Sequence, residues 1–173
     1  MKKLDTVVDD VYNVLSCLCD QETLDIPDDY IEDFGERMKE ALKGWATPKK
    51  NGGGLRMSNV GRPLRRLWYD LKRDTPVYNK THPSVFIKFL YGHILEELVL
   101  LLVRLSGHEV ANEQKEVTVD GVKGHMDCTI DGEVVDIKTA SSFAFKKFQE
   151  GTLHEDDPFG YMAQLSGYEK GHG

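Results

Sequence analysis

The stretch that decides the fold is residues 113–141, EQKEVTVDGVKGHMDCTIDGEVVDIKTAS. Residues 113–119 alternate apolar and polar side chains up to Asp120-Gly121. Residues 122–130 form a second run up to Asp131-Gly132, and residues 133–139 alternate again. Asp-Gly between alternating runs is a strong hairpin signal, since a tight two-residue turn requires positive φ at both central positions. The segment predicts a three-stranded antiparallel meander. Working outward, residues 84–106 predict a long helix, started by His82-Pro83-Ser84 and closed by Gly107. Residues 4–19, 28–45, 61–73, 141–149 and 158–170 also read as helices, and TPKKNGGG at 47–54 reads as a loop. The expected fold class is α/β: a central mixed β-sheet carrying the meander, flanked by helices, with an N-terminal helical extension over residues 1–54. The whole chain, 1–173, is read as a single domain.

The second hairpin contains an anomaly. A two-residue turn at Asp131-Gly132 pairs residue 130 with 133 and, stepping outward, 127 with 136. Asp127 and Asp136 would then face each other, where like charges destabilise a sheet and Asp is a poor strand former. A divalent cation such as Mg²⁺ would compensate, because it takes hard carboxylate oxygens. Lys138 lies two residues beyond Asp136 and shares its face. An ammonium there can hold or deprotonate a water, or neutralise a phosphate oxygen. Val135 and Ile137 would face the core, with Cys128 opposite Val135. An isolated Asp-x-Lys is more often a pair of surface charges; the opposed Asp127 tips the reading towards a site. A third carboxylate is expected from the long helix. Glu96 sits one turn after Gly92, whose lack of a side chain allows close packing. Glu97 competes for that role, or pairs with His93 on the helix surface.

Charge is unevenly distributed. The 173-residue chain carries a net charge of −7, yet residues 43–88 hold 11 basic side chains against two acidic ones. Such a patch can bind phosphates while the remaining surface stays acidic, although a solvated basic helix would look the same. Three cysteines (Cys17, Cys19, Cys128) cannot complete a disulfide framework or a four-thiolate site. Asp5, Asp9 and Asp10 interrupt any signal-peptide core, and Lys88, Glu96, Glu97 and Arg104 break the apolar run at 85–105, which excludes a membrane span there. A reduced, intracellular, cytoplasmic protein is expected.

Four short motifs then occur in order: G-x-x-x-E (Gly92 to Glu96), G-H-M-D (Gly124 to Asp127), V-D-I-K-T-A-S (Val135 to Ser141) and Q-x-x-x-Y (Gln164 to Tyr168). Each is weak alone. Together, on helix, strand, strand and helix, they resemble the PD-(D/E)XK nuclease superfamily, and within it the RecB-like exonucleases of bacteria and phages. The likeness covers about two-thirds of the chain, residues 55–168. RMSNVGRPLRRLWY at 56–69 also resembles the Ser…Arg…Trp-Tyr element that precedes the long helix in those proteins. The resemblance implies a restriction-endonuclease-like core over 55–173 and a metal-dependent DNA nuclease of recombination, repair or phage replication. In that family pattern Glu96, Asp127 and Asp136 hold Mg²⁺ or Mn²⁺, the carbonyl of Ile137 adds a ligand, and Lys138 activates water for attack on a phosphodiester. Gln164 and Tyr168 hold the DNA backbone or support the site, and Ser58, Arg62, Arg65 and Arg66 are candidates for phosphate contacts. Some relatives carry His where Glu96 stands. Others bind an iron–sulfur cluster through four cysteines, and Gly-Arg-Pro-Leu-Arg here predicts none. Relatives usually continue beyond Gln164 to Tyr168 with another strand and helix, so a C-terminally truncated core is the expectation.

Rival readings remain open on the sequence. A sequence- or structure-specific endonuclease of the same fold has the same motifs. A non-cleaving DNA-binding module would keep the basic patch without the chemistry. A zinc hydrolase acting on small molecules would use His93, His125 and His154, although these lack ligand spacing. Trp45, Trp68 and Tyr69 could stack on single-stranded bases, but core positions are the more frequent fate of such residues. The run at 98–103 reads as core rather than as a dimer seam.

Overall fold

Both Asp-Gly pairs turn as the sequence demands. Asp120 and Gly121 have φ of 52° and 80°, and Asp131 and Gly132 have φ of 51° and 91°, the doubly positive signature of the tight hairpin turn. The computed structural model describes residues 2–47, 54–72 and 82–173, apart from the side chain of Asp70. Most of the expected loop at 47–54, with Lys49 and Lys50, lies outside those residues, as do Arg73 and Lys80. The chain is mixed α/β, dominated by helix, with two small antiparallel sheets. Its contacts divide it into two compact units, and the division does not follow residue 54.

The first unit contains residues 1–49, 81–111 and 129–133. Helices α1 (Val7–Cys19) and α2 (Asp28–Ala46) pack on the long helix α5 (Pro83–Leu105). Pro83 opens α5 at a position where its missing N–H costs nothing, and the His82 Nδ1 accepts from the amide of Ser84 at 3.3 Å. Gly107, with φ 80°, ends it in the left-handed conformation. Along α5, Leu100 and Val103 are buried while Leu98 and Val99 remain exposed, so only part of the run at 98–103 is core. Charges cross between α2 and α5: Arg104 lies 3.7 Å from Asp33 and Arg37 lies 4.0 Å from Glu97. Strand β1 (Val110–Ala111), too short to read from the sequence, pairs antiparallel with β4 (Cys128–Ile130), and β5 (Glu133–Val135) follows in the order β1-β4-β5. Residue 128 of β4 and residues 134–135 of β5 belong to the second unit.

The second unit contains residues 50–80, 112–128 and 134–173. Strands β2 (Glu116–Val119) and β3 (Val122–His125) form the first hairpin, with Val119 opposite Val122. Around it lie α3 (Met57–Val60), α4 (Leu64–Lys72), α6 (Ser142–Gln149) and α7 (Tyr161–His172). Helix α3 packs on α7 and β3, and α7 packs on β2. The core is Met57, Val117, Met126 and Tyr168, with Val119, Val122 and Val134 against it. Gly124 is required by that packing: a Cβ there would stand 2.5 Å from the Met57 side chain and 2.8 Å from the Tyr168 ring.

The single meander in a central mixed sheet is therefore corrected. The expected strand at 122–130 breaks after His125, and its halves serve different sheets. The cause lies opposite the break, where Asn112 and Gln114 take positive φ of 53° and 51°. That bend lets Lys115 accept from the Met126 amide at 3.1 Å and Gln114 donate to the Asp127 carbonyl at 3.0 Å. These two irregular bonds satisfy the backbone at Met126 and Asp127 without a ladder.

Candidate active site

The break in the strand re-aims Asp127. Met126 on one side is fully buried and Cys128 on the other is too, so the backbone is anchored while the carboxylate between them is free to turn. It meets the chain just beyond β5. That strand stops at Val135, three residues after the turn pair, rather than continuing to Thr139 as expected. The reason is local: Asp127 Oδ2 accepts from the Ile137 amide at 2.7 Å, so a side chain takes the place of a ladder carbonyl. Asp127 and Asp136 do come together, held by this crosslink rather than by strand register.

Lys138 joins them. Its Nζ donates to Asp136 Oδ1 at 2.7 Å and lies 3.8 Å from Asp127 Oδ2. All three side chains are substantially withdrawn from solvent, the Asp127 and Asp136 side chains retaining only 14% and 7% exposure. Burial pushes the Asp127 carboxyl up to about 6. Lys138 pulls it down, Asp136 pushes it further up by charge and hydrogen bonding, and the Ile137 amide opposes that rise. Burial also disfavours the charged Lys138, but the Asp136 hydrogen bond and both carboxylates outweigh it and hold its pKa above the ordinary lysine value. Two carboxylates thus share one ammonium, and the cluster is short of positive charge.

Helix α7 closes the site from within the same unit. Gln164 and Tyr168 are buried one turn apart, and Gln164 Nε2 donates to the Tyr168 hydroxyl at 2.8 Å while lying 3.5 Å from Asp136 Oδ1. The Tyr168 phenol is held above its ordinary pKa, chiefly by burial. Tyr161, which sequence reading passed over, belongs to the same helical face. Burial raises its phenol, Lys138 lowers it, and Asp157 and Asp136 raise it further, so it stands within electrostatic reach of the cluster. The spacing 161, 164, 168 is a helical stripe and was the available signal.

Of the remaining candidates, Glu96 lies in the first unit, on α5, with its carboxylate 4.0 Å from His93 Nδ1. The expected His93 partner, Glu97, faces Arg37 instead. Ser58 is exposed on α3 between the buried Met57 and Asn59. Arg62 is half-buried after α3, and Arg65 and Arg66 are exposed on α4. The expectation that the aromatics are core is overturned: Trp68 and Tyr69 are exposed, their rings edge-to-face at 5.0 Å, because among its described side chains α4 buries only Leu67 and the next two rotate away by about 100° each. Trp45 is exposed as well, its indole donating to the Phe86 carbonyl at 2.7 Å. His125 is exposed beside Glu116 at 3.7 Å, and exposed His154 lies 2.9 Å from the Gly151 carbonyl. Among the described residues no three His, Cys, Asp or Glu side chains gather as a metal cage. The donor chemistry nevertheless suits a hard cation, since two adjacent carboxylates have one ammonium between them and burial holds one of them near 6.

One buried polar group elsewhere also escaped sequence reading. In the first unit the wholly buried His108 side chain lies between Asp131, at 2.6 Å from Nδ1, and Asp10, at 3.0 Å from Nε2.

No helix among the described residues is long and apolar enough to cross a membrane. Comparison with family models, curated proteins and solved structures finds no match to this chain.

Proposed function

We propose that the chain is a divalent-cation-dependent DNA nuclease with a restriction-endonuclease-like core, of the RecB-like exonuclease type, acting on phosphodiester bonds in the cytoplasm. The observation that carries this reading is the buried Asp127–Lys138–Asp136 cluster, with Lys138 2.7 Å from one carboxylate and 3.8 Å from the other. Asp127 and Asp136 would hold Mg²⁺ or Mn²⁺, with the Ile137 carbonyl as the further ligand that the family pattern supplies within this unit. When bound, such an ion polarises the phosphoryl oxygen and lowers the pKa of a bound water. Lys138 positions the attacking water and takes up negative charge on the phosphate. Gln164 orients Asp136 and is itself fixed by Tyr168. Ser58, Arg62, Arg65 and Arg66 supply phosphate contacts.

The test compares linear with covalently closed circular DNA, in Mg²⁺ and then in chelator. Degradation of the linear form alone, abolished by chelator, is expected. Nicking or cutting of the circle would place the chain among endonucleases of the same fold. A non-cleaving DNA-binding module is the second reading, favoured because the second unit gathers two acidic side chains rather than three. Its signature is DNA binding with no cleavage in either metal.

A further inference from the structure

Tyr161, within electrostatic reach of the cluster, is the middle of a row of aromatic rings. Phe159 and Tyr161 are stacked at 5.5 Å with 22° between their planes, and Phe148 lies 6.1 Å from Tyr161 at 33°. Phe148 and Phe159 are exposed, the latter at 56%. Such rings facing water would ordinarily be buried, and all three lie in the second unit. Two acidic residues next to the row are already engaged: Asp157 accepts from the Gly160 and Met162 amides at 2.9 Å each, and Lys147 holds Asp156.

The row also meets the cationic helix. Gly61 and Gly160 touch backbone to backbone, for a Cβ on Gly61 would stand 2.4 Å from the Gly160 Cα. Gly160 immediately precedes Tyr161, and Gly61 precedes Arg62 and the start of α4, where Arg65 and Arg66 are exposed. Only a pair without side chains brings these two helix starts so close.

We infer that the row of Phe148, Tyr161 and Phe159, joined to the arginine helix at the Gly61–Gly160 contact, binds unpaired DNA. Bases stack on the outer, exposed faces of Phe148 and Phe159 while the backbone runs towards Arg65 and Arg66. This deepens the nuclease reading and rests on it. The choice of an unpaired strand follows from the rings. A phenyl face offers stacking and no hydrogen bond, so it gains from a base whose face is open and gains little from a duplex, whose base faces are already covered. The arginines are indifferent to strandedness, because they read phosphate.

The experiment measures anisotropy of a labelled thymidine oligonucleotide and of a blunt duplex, each about 20 nucleotides long, bound to the full chain in chelator. Phe159→Ala should weaken binding of the single strand by roughly tenfold and the duplex by much less, whereas Phe159→Trp and Tyr161→Phe should retain it. Arg65→Ala should weaken both alike and flatten the salt dependence. Equal loss on both substrates for Phe159→Ala, no loss, or a wild-type chain that binds the single strand no better than the duplex would overturn the inference. The nuclease reading is scored separately, by Mg²⁺-dependent cleavage that Asp136→Asn removes. Persistent cleavage with no aromatic selectivity leaves that reading standing and this one refuted. Selective aromatic loss without cleavage does the reverse.

Discussion

Replacing Asp127 by Asn should make the metal-free protein more stable, against the usual direction of a substitution in a buried site. In the folded chain the carboxyl is raised from 3.8 to about 6. The folded state therefore binds the extra proton more tightly than the unfolded state. The contribution of Asp127 to wild-type stability therefore falls as pH rises from about 4 to about 6 and levels off above that window, where both states are ionised. At about 1.36 kcal/mol per pKa unit, the ionised carboxylate costs the fold roughly 3 kcal/mol near pH 8. Asparagine never ionises, and its amide oxygen can still accept from the Ile137 amide, so the variant escapes the cost and keeps the crosslink. Thermal melting in chelator should show the variant about equal to wild type near pH 4 and roughly 6–12 °C more stable near pH 8. Added Mg²⁺ should narrow the gap by stabilising wild type through binding. A variant that melts at or below wild type near pH 8, or a difference that does not change between about pH 4 and pH 8, would refute the electrostatic account of this cluster.

Three further outcomes follow from the same coordinates. Asp136→Asn and Lys138→Ala should each abolish Mg²⁺-dependent cleavage, with helix content by circular dichroism unchanged. Gly124→Ala should cost about 1–3 kcal/mol in urea unfolding, since the new Cβ falls 2.5 Å from Met57 and must displace it or the Tyr168 ring. His108→Ala should cost about 3 kcal/mol, because it leaves Asp131 and Asp10 facing a hole where a fully buried imidazole had joined them. The Asp131 pKa is lowered first of all by the His108 hydrogen bond. Its contribution is therefore complete above about pH 4 and is lost as pH falls through the folded-state value, and His108→Ala should flatten that acid limb of the stability curve.

What was legible in the sequence was local. Asp120-Gly121 and Asp131-Gly132 announce their turns because the conformation needed there is a property of two residues. His82-Pro83 and Gly107 bound α5 for the same reason. The meeting of Asp127, Asp136 and Lys138 was legible because a short hairpin leaves little freedom between them. The strand break at Met126 was not, since it is decided across the sheet by the positive φ of Asn112 and Gln114, residues with no distinctive motif. Exposure of Trp68 and Tyr69 was equally hidden. Composition says that aromatics favour cores, but among the described side chains of this nine-residue helix only Leu67 is buried, and Trp68 and Tyr69 lie off that face. Glu96 was chosen by its spacing from Gly92, and spacing within one helix carries no information about strands elsewhere in the chain.

The charge imbalance of the cluster ties its possible activities together. Near neutral pH two carboxylates and one ammonium leave an excess of negative charge in a half-dry pocket, and a phosphodiester brings more. The DNA backbone can approach Lys138 only if that excess is offset, either by a cation held between Asp127 and Asp136 or by arginines close enough to act through a poorly screening medium. Lys138 has donors beyond the one it gives Asp136, but a single positive charge cannot balance both carboxylates and a phosphate. The arginines of α4 would act on phosphate and not on the buried carboxylates. On the nuclease reading the same excess would drive capture of a cation and oppose binding of DNA without one. Such a cluster would link its affinity for substrate to its affinity for metal before any bond is broken.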